Sequence, residues 1–255
     1  MSAVLRRITI YPIKSLDGVS VDEIEVLPTG ALANDRRLAI VGAGGQFFHG
    51  KRTDAIHRIR AHFDLAAMTV RLNGAEEFSL LDQRAELGAW LRTTLGVTCI
   101  LAENVYSGFP DDTAAPGPTL LGTATLQEVA GWFPPMSLEE SRRRFRANLE
   151  LDGVEPFWED RLVGPAGREV AFTIGGVHWL GVNPCQRCVV PTRDSQSGVA
   201  DRGFQRVFAE RRRESLPPWA PDDRFDHFYR LAVNTRLAPG QVGGRIRLGD
   251  AVTLG

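Results

Sequence analysis

Short runs of alternating polar and apolar residues, separated by glycine-bearing turns, fill both ends of the chain, and that pattern restricts it to a curled sheet or small barrel. Residues 7–11 and 19–26 alternate, and 37–41 is a short apolar run. Gly42-Ala43-Gly44-Gly45 then breaks the chain before Gln46-Phe47-Phe48 returns, a hairpin signal. A sharper one follows at Asn73-Gly74, between Met68-Thr69-Val70-Arg71-Leu72 and Glu77-Phe78-Ser79-Leu80. Asn-Gly accepts the two positive φ angles of a tight type I′ turn, which fixes the register of the flanking strands. Further strands are expected at 169–174, 177–182, 229–233 and 245–254.

Helical spacing marks the middle. Residues 84–95 place Leu87, Trp90, Leu91 and Leu95 on one face, and 125–133 do the same with Leu126, Val129, Ala130 and Phe133 before Pro134-Pro135. Ser137-Leu138-Glu139-Glu140 is a capping-box start for a helix running toward Arg144, and a polar helix is expected around 203–213. Residues 104–118, rich in Gly, Pro, Asp and Ala, are expected to form a domain boundary or mobile loop. Arg142-Arg143-Arg144 and Arg211-Arg212-Arg213 read as solvated helix faces.

Charge excludes some functions. The 255 residues carry 31 Asp+Glu against 30 Lys+Arg, so no bulk field draws the chain to nucleic acid or an anionic membrane. No apolar run approaches the roughly 20 residues of a membrane span, and Met1-Ser2-Ala3 leads directly into a strand-like run without a secretion signal. A cytoplasmic location is the expectation. Lysine occurs only at Lys14 and Lys51, so arginine supplies nearly all of the basic charge. Codon bias accounts for that, yet it singles out two positions where this chain uses its rare cation.

Three cysteines form no disulfide framework, and the odd number fits a reducing compartment. Cys99, within an apolar run, reads as a small buried hydrophobe. Cys185 and Cys188 form C-x-x-C, for which three readings stand open. A structural zinc site needs two further ligands at matched spacing, but His178 lies upstream on a strand, His227 lies far downstream, and no second C-x-x-C exists. A thioredoxin-like pair needs a helix start, which Pro191 opposes. The third reading is one thiolate on a metal cofactor, with the neighbouring Arg187 favouring ionised sulfur and anionic groups.

Four collinear blocks carry a resemblance. They are Tyr11-Pro12-Ile13-Lys14-Ser15 with Gly18-Val19; Asp35-Arg36-Arg37-Leu38-Ala39-Ile40-Val41; Phe145-Arg146-Ala147-Asn148; and Cys185-Gln186-Arg187-Cys188 with Asp194 and Gly198. In that order they resemble the MOSC proteins (molybdenum-cofactor-sulfurase C-terminal domain, with an N-terminal β-barrel), a group including the amidoxime-reducing components and their bacterial relatives. The resemblance implies a mainly β fold with α (α+β): a small N-terminal β-barrel-like domain over 1–104 and a MOSC β-barrel domain with flanking helices over 105–255. It implies that Cys188 ligates molybdenum while Cys185 supports the loop. It implies that Lys14, Ser15, Arg36, Arg146 and Asn148 hold the pterin and its phosphate, with Arg187 beside them. Where relatives carry an Asp-Thr-Ser-Pro-like segment this chain has Asp111 to Pro118, leaving Thr113 and Thr125 as the corresponding candidates. Asp194 and His178 are the candidates for moving a proton.

The implied group is the molybdenum cofactor, not zinc or pyridoxal phosphate, and the implied activity is reduction of N-hydroxylated small molecules such as amidoximes and hydroxylamines. No Cys-rich extension follows the last strand, so electrons are expected from a separate ferredoxin- or flavin-type protein. The alternative is a cofactor or sulfur carrier without turnover. Neither nucleic acid nor membrane is an expected partner.

Overall fold

The computed structural model describes residues 2–255. In chain order the strands and helices are β1 (Ala3–Ile10), β2 (Val19–Val21), β3 (Glu23–Val26), β4 (Leu38–Gly42), β5 (Ala61–Asp64), β6 (Thr69–Leu72), β7 (Glu76–Ser79), α1 (Arg84–Leu95), β8 (Cys99–Glu103), β9 (Leu120–Gly122), α2 (Thr123–Gly131), α3 (Leu138–Phe145), β10 (Leu149–Asp152), β11 (Val170–Ile174), β12 (Val177–Gln186), α4 (Phe204–Glu214), β13 (Arg230–Leu237), β14 (Gly244–Arg247) and β15 (Ala251–Leu254).

Seven strands close a barrel in the order β10-β9-β13-β12-β11-β15-β1, with β1 returning to β10. Only β9 and β10 run parallel within it. Closure depends on β1, whose register shift between Leu5 and Arg7 lets it pair with β10, β15 and β2 along one length. The barrel is filled by inward residues such as Leu5, Ile8, Ile10, Leu120, Leu149, Phe172 and Trp179. This is the mixed α/β class with a barrel that the strand pattern implies. A division of the chain at 104/105 leaves β1 and β3 on the N-terminal side, although they pair with β10, β15 and β14.

A second core belongs to the N-terminal half. There β4 pairs with β8, β5-β6-β7 form a meander, and α1 covers them with Leu87 and Leu91. The β6–β7 turn is the expected one, with Asn73 at φ 48° and Gly74 at φ 78°. A third core joins α2, α3 and α4 through Leu126, Val129, Phe145, Phe204 and Phe208. No helix among the described residues is long and apolar enough to cross a membrane.

Several expectations need correction. The 46–48 return makes only an isolated bridge, Val41 to Phe47. Residues 104–118 have no regular structure but are fastened in place: Asn104 N–H donates to Arg37 O at 2.9 Å and Gly117 N–H to Thr235 O at 2.9 Å. Strand β12 overruns its expected end and carries Pro184 inside it, which two register shifts, after Gly181 and after Pro184, accommodate. The arginine triplets are not simply solvated. Arg144 (6% exposed) and Arg212 (1% exposed) are buried, because Asp201 and Asp160, distant in sequence, neutralise them.

Candidate cofactor site

A cavity of about 950 Å³ opens where the segment after β1, the end of α3 and the end of β12 converge. That is the upper end of the roughly 300–1,000 Å³ usual for small-molecule sites. Its wall carries eleven Lys and Arg residues against six Asp and Glu, in a chain whose formal net charge is -1. Positive charge is therefore gathered at this one place. Both lysines of the chain, Lys14 and Lys51, are on the wall.

Three wall residues hold left-handed backbone: Ser15 at φ 77°, Arg36 at φ 48° and Arg146 at φ 52°. Each costs about 1–2 kcal/mol for a side chain with Cβ, strain of the kind that collects at functional sites. Arg146 ends α3 as its C-cap, donating N–H to Arg142 O at 2.9 Å. From there its guanidinium lies 4.0 Å from the Tyr11 ring centroid and Nη2 donates to Leu16 O at 2.7 Å. Arg36 faces the same ring at 5.4 Å, pairs with Asp35, and donates from Nη1 to Asn148 Oδ1 at 3.3 Å. Asn148 is 1% exposed, and its Nδ2 donates to Thr9 O at 3.0 Å. Lys14 Nζ lies 2.9 Å from Asp111 Oδ1 and donates to Phe109 O at 2.8 Å.

The electrostatics follow from that packing. Burial pushes the Lys14 ammonium below its ordinary range, with Asp111 pulling the other way. Burial alone would raise the Asp111 carboxyl, but Arg36 and Lys14 outweigh it and hold it well below the usual carboxylate range. Burial, reinforced by Arg36, lowers Arg146.

The cysteines sit at the end of β12. Cys185 is still in the strand; Cys188 has left it, and both are half-buried on the cavity wall. Arg187 ties this corner together: its N–H donates to Tyr229 O at 3.0 Å, Nη2 to Phe145 O at 2.6 Å and Nη1 to Cys185 Sγ at 3.3 Å. Among the described residues, no three His, Cys, Asp or Glu side chains come together to hold a metal ion. Four wall nitrogens, His49 Nδ1, His57 Nε2, Arg60 Nε and Arg187 Nε, are buried without a hydrogen-bond partner. Orphaned donors and acceptors on a cavity wall mark where a polar guest completes the bonding.

Family comparison decides the assignment. Residues 2–97 match the MOSC N-terminal beta barrel domain and residues 121–253 match the MOSC domain. The chain belongs to the MOSC family. MOSC domains are related to molybdenum-cofactor sulfurase and associated with the molybdenum cofactor. No curated protein matches this MOSC chain. Among solved structures, the YUAD protein from Bacillus subtilis is similar over 100% of this chain and 96% of its own, at 10% identity and a TM-score of 0.41.

Of the residues singled out in this MOSC sequence, Lys14, Ser15, Arg36, Arg146, Asn148, Arg187 and Cys188 all line the one cavity, as does Thr113. Thr125 lies outside it, its hydroxyl donating to Glu159 Oε2 at 2.9 Å and accepting from Phe157 N–H at 2.7 Å. Asp194 is also off the wall: its Oδ1 accepts from the Ser197 amide at 2.8 Å and hydroxyl at 2.7 Å, closing a turn. His178 sits exposed on β12, opposite Thr173. Sequence reasoning missed Tyr11, Asp35 and Asp111, the groups that brace the cations, although the first two stand inside blocks already quoted.

Proposed function

We propose that this MOSC chain binds a molybdenum cofactor in the cavity through Cys188 and there reduces N-hydroxylated small molecules, taking electrons from a separate protein. The observation carrying this is the wall itself. Cys188 shares it with Lys14, Arg36, Arg146 and Arg187, and the last two have no carboxylate within ion-pair distance among the described residues.

A pyranopterin phosphate is a dianion edged with hydrogen-bonding heteroatoms, so guanidinium forks, one compact ammonium and small polar side chains fit it. When bound, the cofactor supplies two-electron redox chemistry at a metal that suits thiolate sulfur. Cys188 gives that sulfur. Lys14, fixed by Phe109 O and Asp111, presents a point charge to the phosphate. Asn148 braces Arg36, and Tyr11 with Leu16 O braces Arg146, so both guanidinium planes are pre-set before the guest arrives. Arg187 pins Cys185 to Phe145 O, which makes Cys185 a support for the loop. Reduction of one N–OH to N–H consumes two electrons and two protons and releases water. A carrier of the cofactor or its sulfur would use the same wall, and turnover separates the two roles.

Protein from a cofactor-competent host should hold close to one molybdenum and one pterin per chain. Cys188→Ser should lose both, Cys185→Ser should keep most, and equal losses would reject a single-thiolate site. Reduction of benzamidoxime with reduced methyl viologen tests the reaction, and a loaded but inactive protein would point to the carrier.

A further inference from the structure

The loop that follows Cys188 is closed on itself. Thr192 Oγ1 donates to Val189 O at 2.7 Å, Arg193 N–H to Val190 O at 3.0 Å and Asp194 N–H to Val199 O at 2.8 Å, while Gly198 N–H returns to Asp194 O at 3.0 Å. Arg193 Nη1 adds a bond to Gly198 O at 2.9 Å. A segment bonded this often to itself opens and closes as one unit, so its outward contacts decide where the loop sits.

Those contacts come from both halves of the chain. On α3, Glu140 accepts from the Ser195 amide at 2.9 Å and from its hydroxyl at 2.5 Å. From the segment between β4 and β5, Arg60 Nη2 donates to Ser195 O at 3.2 Å. The same guanidinium bonds His57 O, and its Nη1 lies 3.5 Å from Asp17 Oδ1. Asp17 is held in turn, its Oδ2 accepting from Ala61 N–H at 3.0 Å. Two glycines let the halves meet closely: a Cβ on Gly50 would lie 2.7 Å from His57 Nε2 and 3.4 Å from Val190 Cγ2, and one on Gly198 would lie 2.8 Å from Asp54 O. Gly50, His57, Arg60, Val190 and Ser195 all line the cofactor cavity with Cys188.

We propose that Arg60 is a positioning residue for the Cys188 sulfur: reaching across from the N-terminal half, it fixes Ser195 and thereby sets the loop that presents the thiolate. This rests on the reading of Cys188 as the metal ligand. Outer contacts that orient a ligand tune its metal as well as hold it. Cys188 stands between two anchors. Arg187 before it is bonded to Tyr229 O and Phe145 O, inside the MOSC domain, and Val190 after it is packed against Gly50. Glu140 already serves Arg144, so the bond from Arg60 is the one that ties the far end of the loop to the other half of the chain. A contact that served only to fasten the two halves together would, when broken, loosen the whole molecule and not this loop in particular.

The three cysteines make the test carry its own control: Cys99 is buried in the N-terminal core, Cys185 is held by Arg187, and Cys188 reports the loop. The full chain, purified from a host that makes no molybdenum cofactor, is treated with iodoacetamide and each thiol is followed by peptide mass. Arg60→Met keeps the aliphatic stem and drops the forked donor. It should raise the labelling rate of Cys188 about tenfold, the gain in local opening expected from losing one charge-assisted hydrogen bond, and leave Cys99 unchanged. Gly50→Ala, which crowds His57 and Val190 while keeping Arg60, should act in the same direction and stands in if Arg60→Met does not fold. Arg60→Lys should fall between wild type and Arg60→Met, because one ammonium cannot reach Ser195 O and Asp17 together. In the cofactor-loaded chain, Arg60→Met should shift the Mo(V) electron paramagnetic resonance signal, which a change in stability alone does not move. Labelling of Cys188 that ignores both Arg60→Met and Gly50→Ala, a rise shared by Cys99, or an unshifted Mo(V) signal overturns the proposal. A chain that takes up no molybdenum sinks the reading of Cys188 as ligand instead, and the labelling pattern still decides whether Arg60 sets the loop.

Discussion

Arg146 and Arg212 occupy matched settings and do opposite things. Each lays its guanidinium on aromatic rings: Arg146 at 4.0 Å from Tyr11, Arg212 at 4.3 Å from Phe157 and 4.9 Å from Phe225. Arg212 is 1% exposed and has its counter-charge in the chain, Asp160. Arg146, only half-buried, has no carboxylate within ion-pair distance among the described residues; burial and Arg36 push its pKa down, while the more distant Asp17 and Asp111 pull it up. A buried cation with its partner in the chain is a structural element. A half-buried one on a cavity wall, with no carboxylate in ion-pair reach, is free to meet an anion from outside.

Removing the partner should expose the difference at its largest. Asp160→Ala leaves Arg212 buried and uncompensated, an effect of about 3–5 kcal/mol. Denaturant unfolding should show that loss whether or not cofactor is bound. Arg146→Met should forfeit only about 0.5–1 kcal/mol of contact with Tyr11 while largely abolishing pterin retention. If the two variants lose similar stability, the distinction between the arginines fails.

The Arg212 side also carries a proton that the cavity side does not need. Burial raises the Glu159 carboxyl to about 7, with Asp160 adding to the effect. Burial raises Asp160 as well, but Arg212 sits on it, so Glu159 keeps the proton. A carboxyl raised in the folded state stabilises the protein fully below its ordinary value of 4.5 and loses that contribution as pH rises toward about 7. Thermal unfolding should therefore show stability falling across that window, by up to about 3 kcal/mol from this group. Glu159→Gln should flatten the dependence. A slope unchanged by that substitution would place the titrating group elsewhere.

What could be read from the sequence was mostly local. Asn73-Gly74 dictates its own turn, the 84–95 stripe matches α1 residue for residue, and Ser137 caps α3 by accepting from Glu140 N–H at 3.1 Å. The closure of the barrel was not local: β1 pairs with β10, well over a hundred residues on, and with β15 at the far end of the chain, and alternation cannot name a partner. The same separation hid the ion pairs. Glu150 and Asp201 claim Arg142 and Arg144 across turns that no spacing rule connects, so a run of arginines looked solvated. The cavity cations were legible because they stand in compact motif blocks, whereas the braces that aim them, Asp111 above all, lie in a segment resembling a linker.

Helix α3 joins both kinds of arginine, and its cap gives the mildest test. Its last turns hold Arg142 and Arg144, neutralised by Glu150 and Asp201, and it ends at the strained, unpartnered Arg146. Ser137→Ala removes the acceptor for Glu140 N–H and should cost about 1 kcal/mol of stability. Arg146 is fastened at the opposite end, by the Tyr11 ring and Leu16 O, and Arg144 is clamped by Glu140 and Asp201. Fraying of the first turn, which reaches the cavity wall only at Glu139, should therefore stop before Arg146, and pterin content should match wild type while the unfolding midpoint drops slightly. Loss of pterin in this variant would mean that α3 moves as one body, with the unpartnered arginine set by the whole helix instead of by its own two contacts.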